Sequence, residues 1–126
     1  MRYIEAIEEI TSELEHDESD EPVRAGLRLA LLAWRQDDDP DPEWDKAALA
    51  VLAAEELLRP YVPDTTALCQ PPGPGDATVS PAVVRLLLAL TGRLERSAGE
   101  GTQPLTERLA RHAAAGQLDQ AVALLT

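Results

Sequence analysis

A single all-α domain, folded as a compact bundle of five or six helices, is what the composition and punctuation of this chain predict. Ala and Leu dominate an aliphatic set that includes no Phe, and the aromatics are Tyr3, Trp34, Trp44 and Tyr61. Strong helix formers far outnumber the β-branched and aromatic residues that favour strands. Apolar residues recur at helical spacing over several segments, and Pro and Gly fall between those segments, where helices start and stop. A length of 126 residues suits one domain with a real core.

The first helix is expected over residues 2 to 16. Tyr3, Ile7, Ile10 and Leu14 form one stripe, and Glu5, Glu8, Glu9, Glu13 and Glu15 take the rest of the circumference. The run HDESDEP breaks it, and Pro22 suits the first turn of a second helix. There Val23, Leu27, Ala30, Leu31 and Trp34 form the inward stripe. Arg24, Arg28 and Arg35 are expected toward water, where they can answer the acids of the first helix.

Asp41 and Pro42 form an N-cap and first-turn pair, since the Asp oxygen accepts an orphan backbone N–H and Pro has none to leave unpaired. The third helix therefore runs from 42 to Arg59, before Pro60. Its centre, AALAVLAA, has no polar residue on any face, which predicts a central position. The stretch from Pro60 to Ser80 carries Pro60, Pro63, Pro71, Pro72 and Pro74, so it reads as a proline-rich crossover loop.

Ser80 and Pro81 repeat the start signal, and VVRLLLAL makes a fourth helix, 81 to 97, apolar nearly all round. Either it lies in the middle of the domain or it also serves a subunit interface. Leu105, Leu109 and Ala113 mark a fifth helix, Gly116 stands as its terminator, and Leu118, Val122 and Leu125 mark a sixth. LARHAAAGQLDQAVALL locally resembles one helix pair of the tetratricopeptide kind. A single pair with no repeat at about 34 residues names no family. The chain thus divides into an acidic helical half, 1–59, the loop, 60–80, and an apolar helix with a C-terminal helical hairpin, 81–126.

Charge narrows the function classes. The 23 acidic and 11 basic side chains give −12, and residues 1 to 60 alone hold 17 acidic against 6 basic. Such a surface repels nucleic acid phosphates and anionic lipid, so neither is an expected direct partner. One cysteine, Cys69, excludes an internal disulfide. MRYIEAIEEI lacks the order of a signal peptide, and no apolar run reaches the roughly 20 residues of a membrane span. A cytoplasmic protein is expected, and the excess of Arg over Lys, with abundant Ala, suits a GC-rich bacterial genome.

The candidate metal and catalytic motifs fail on spacing. In WRQDDDPDPEWDK, Asp37, Asp39 and Asp41 alternate as in a calcium loop, but Pro42 stands where Gly is required and Ala48 where a bidentate Glu is required. Glu13 and His16 have the Glu-x-x-His spacing of a bundle metal site, yet His112 has Leu109 three residues before it, so the second half of such a site is missing. Cys69 has no neighbouring Lys or His to lower its pKa, and PPGPG lacks the Lys and Ser/Thr of a phosphate loop. Ser19 lies at about the place where acyl and peptidyl carriers bear their prosthetic-group Ser, but Asp20 follows it where carriers have an apolar residue, and the first helix ends only about three residues earlier where carriers have a long loop. No catalytic residue, cofactor or metal is assigned.

What remains is the lopsided charge. The expectation is a non-catalytic interaction module, such as an immunity protein, an antitoxin-like inhibitor or a regulatory adaptor. It would bind a basic partner protein through Glu5, Glu8, Glu9, Asp37, Asp38, Asp39, Asp41 and Trp44. The alternative is a structural or accessory subunit that forms a homodimer or docks through helix 81–97, burying Leu86, Leu87, Leu88 and Leu90.

Overall fold

The computed structural model describes residues 2–16, 21–35, 42–62, 79–99 and 103–126, with the side chains of Trp34, Arg35, Val79 and Ser80 excepted. Among the described residues there are five helices and no strand: α1 (Tyr3–His16), α2 (Glu21–Arg35), α3 (Pro42–Leu58), α4 (Val79–Gly99) and α5 (Leu105–Leu125). The packing order around the bundle is α1, α2, α3, α5, α4, with α4 closing back on α1 and α2 touching α4 across the middle. No described helix is long and apolar enough to cross a membrane.

α1 buries Tyr3, Ala6, Ile7, Thr11 and Leu14 against α2 and α4. The Tyr3 hydroxyl donates to the Leu29 carbonyl of α2, which satisfies the one polar atom of an otherwise apolar anchor. The middle of the bundle belongs to α2 and α4, whereas the expected pair was α3 and α4. Pro22 to Leu27 are all buried, as are Leu29, Ala30 and Ala33, so α2 is enclosed on nearly every face. Gly26 makes this possible: a Cβ there would lie 3.2 Å from Leu90, 3.3 Å from Leu86 and 3.4 Å from Ile10, the junction of three helices.

The apolar run of α3 is not enclosed. Leu49 is 66% exposed and Leu52 40% exposed, because α3 packs only on α2 and α5 and its third side has no described neighbour. α4 begins at Val79, two residues before the expected start, and Pro81 stays in its first turn, where its missing N–H costs no intrahelical bond.

At the C-terminus a single helix replaces the expected pair. α5 runs unbroken through Gly116, which is exposed and has open space where a Cβ would stand. Its inward face is Arg111, Ala114, Ala115, Leu118 and Ala121, while Leu105, Leu109 and Ala113 of the expected stripe face solvent. An Ala-rich helix offers apolar stripes in more than one direction, and the choice falls to its neighbours. Small residues line both sides, Ala47, Ala50 and Ala54 on α3 and Ala114, Ala115 and Ala121 on α5, and all are buried in one core. With Gly116 in helical conformation, Gly116→Ala should raise the unfolding free energy by about 1 kcal/mol. Urea denaturation measures this, and a loss of stability would mean that Gly116 holds a left-handed turn.

Candidate acidic interaction face

The site begins with what the cations do. Each helix C-terminus leaves carbonyls without intrahelical donors and carries partial negative charge. In this chain arginines from neighbouring elements meet those ends. Arg96 of α4 donates to the Leu14 carbonyl at the end of α1 (3.3 Å), and Arg108 of α5 donates to the Ala98 carbonyl at the end of α4 (3.0 Å). Arg24 of α2 reaches the end of α3, pairing with Glu55 at 3.4 Å and donating to the Val62 carbonyl at 3.5 Å. Val62 is itself folded back into the core after the chain turns at Pro60.

Two more arginines lie inside. Arg93 is buried on α4, and Arg111 is only 1% exposed, donating to Ser97 Oγ at 3.2 Å and to Glu107 Oε1 at 3.0 Å. The expectation that Arg24 faces water is therefore overturned: it is buried and answers an acid of α3 rather than of α1.

The carboxylates of α1 go the other way. Glu5, Glu8, Glu9, Glu13 and Glu15 are all exposed, and at 100° per residue they cover one continuous side of α1, opposite its buried stripe. His16 ends that side, with Nδ1 2.9 Å from the Ser12 carbonyl at the helix terminus. Among the described residues no three His, Cys, Asp or Glu side chains gather as an ion site.

Of the eight residues expected to form one surface, Glu5, Glu8 and Glu9 stand together on α1. Asp37, Asp38, Asp39 and Asp41 lie outside the described residues, as do Ser19, Cys69 and residues 63–78 of the proline-rich loop. Trp44 is placed elsewhere. It is half-buried in the first turn of α3, over an apolar notch lined by Leu31, Ala48, Val51, Val83 and Leu125, and α1 and α3 do not pack on each other among the described residues. The structure adds Glu13 and Glu15 to the acidic face. Their periodicity was visible in the sequence, whereas the inward turn of the arginines had no local signal.

No protein-family model matches this chain, and no solved structure matches it. One local similarity was found, to human (Homo sapiens) plasma membrane calcium-transporting ATPase 4, 38% identical over 56 residues. It covers 38% of this chain and 4% of the ATPase, too small a share of either to establish a family.

Proposed function

We propose that this protein is a non-catalytic interaction module that binds a basic partner protein through the outer face of α1, in the manner of an immunity protein, an antitoxin-like inhibitor or a regulatory adaptor. The observation that carries this reading is the sorting of charge. Arg24, Arg93 and Arg111 are buried in the bundle, the first and last paired with the largely buried Glu55 and Glu107, while the five glutamates of α1 are exposed and form one acidic side. Such a field speeds encounter with a cationic partner and disfavours phosphate backbones and anionic lipid. Trp44 does not belong to this face and takes no part in the reading.

Replacing Glu5, Glu8 and Glu9 with Gln tests it. All three are exposed, so the fold should survive with little change in stability. In a pull-down from the source lysate, the wild-type chain should retain a basic protein at low salt and lose most of it as salt rises past the screening range. The triple variant should retain several-fold less at low salt. Equal retention by both chains, or retention that ignores salt, would sink the proposal.

The alternative of an interface burying Leu86, Leu87, Leu88 and Leu90 is narrowed by packing. Leu86, Leu87 and Leu90 are fully buried in the chain's own core, and only Leu88 among them is exposed.

A further inference from the structure

α5 packs on α3 and α4, and the side it turns away from them has no helix against it among the described residues. At about 100° per residue, Leu105, Leu109, Gly116 and Ala123 fall within about 40° of one another on that side. Leu105 is 65% exposed and Leu109 58% exposed, Ala123 is exposed, and a Cβ on Gly116 would meet open space. Gln120 borders this line on one edge, and His112 and Asp119 border it on the other, all three exposed. No Lys, Arg or Glu stands on the line, in a chain of net charge −12.

Size along the line is ordered, with two leucines before Gly116 and a small residue after it. Such a line is its own complement when turned end for end. With two copies antiparallel and Gly116 against Gly116, Leu109 of each lies over Ala123 of the other, since these residues stand seven before and seven after the glycine. The bare backbone at Gly116 allows the two helices to approach closely there.

The polar edge obeys the same reversal. A twofold axis perpendicular to the helix pair keeps like edges on one side, so His112 of each copy faces Asp119 of the other, and an imidazole N–H donates to a carboxylate at both ends. Neither residue makes a hydrogen bond or ion pair with a described residue of its own chain. We infer that α5 pairs with α5 of a second copy of this chain, antiparallel, across a twofold axis at Gly116. Two acidic chains repel, and an uncharged strip is where they meet at least cost. The contact is isologous and closes at a dimer. A narrow interface of this kind associates weakly, so the equilibrium is visible at high protein concentration. α1 does not pack on α5, so the acidic face stays open in the dimer and the two readings stand or fall apart.

Gly116→Glu sets like charges against each other at the axis while improving helix propensity, so its thermal melt should match or exceed that of the wild type. Sedimentation velocity over a wide range of concentration should show the wild-type mass rising to a dimer and no further, and the variant remaining a monomer. On a Cys69→Ser background, oxidised Gly116→Cys should form a covalent dimer, because a disulfide needs Cα atoms within about 7 Å. Leu109→Cys alone should not, since its two copies lie about 20 Å apart along the helices, whereas mixed with Ala123→Cys it should link. A wild-type chain that stays monomeric at every concentration would overturn the inference. So would a dimer that survives Gly116→Glu, or Leu109→Cys linking to itself as readily as Gly116→Cys does.

Discussion

Leu90→Ala should lower the unfolding free energy by about 3 to 4 kcal/mol, while Leu88→Ala, two residues away in the same apolar run, should change it by about 0.5 kcal/mol or less. Leu90 is fully buried where α4 meets α2 at Gly26, so truncation leaves a cavity between two helices that already approach closely. Leu88 is 51% exposed on the outer side of α4, and its truncation removes surface that water already covers. Urea denaturation of both variants measures the contrast. For a domain of this size, about 3 to 5 °C of melting temperature corresponds to each kcal/mol. Comparable losses in the two variants would mean that α4 is enclosed on both sides.

Arg111→Ala should cost about 3 kcal/mol, and Arg111→Met less than about 1 kcal/mol. Arg111 is the largest fully buried side chain among the described residues, and its guanidinium joins Ser97 of α4 to Glu107 of α5. The Ala variant removes volume from the α4/α5 contact and strands the Glu107 carboxylate, whose side chain is only 17% exposed. Met refills the volume with an unbranched chain and leaves only the second penalty, which Glu107 can relieve by turning toward water. Equal losses in both variants would show that the ion pair, rather than filled space, holds α5 against α4. An Ala variant of wild-type stability would contradict the burial itself.

Both experiments address positions that local sequence leaves ambiguous. VVRLLLAL gives only one sign of which leucine faces out, Arg85 three residues before Leu88, since the other directions around that helix are apolar. Arg111 sits in a stretch where Leu105, Leu109 and Ala113 offer a more hydrophobic stripe than the one that is buried. The glutamates of α1 present the opposite case. Their stripe and the apolar stripe behind it leave one orientation for the helix, and the structure has that orientation.

Sequence alone determined the all-helical class, the bounds of α1 and α3 to within a residue or two, the start of α2, the orientation of α1 and the concentration of acid in the leading half. These follow from local physics: propensity, the fixed period of the helix and the steric demands of Pro at helix starts. The tertiary structure decided which helices lie in the middle, that α5 is one helix through Gly116, which leucines reach solvent, and where the arginines go. Those outcomes depend on residues distant in the chain, because an Ala-rich helix turns whichever side its neighbours can approach. Arg24 goes inside where folding brings Glu55 and the Val62 carbonyl within its reach, and Arg111 where Ser97 and Glu107 accept its donors.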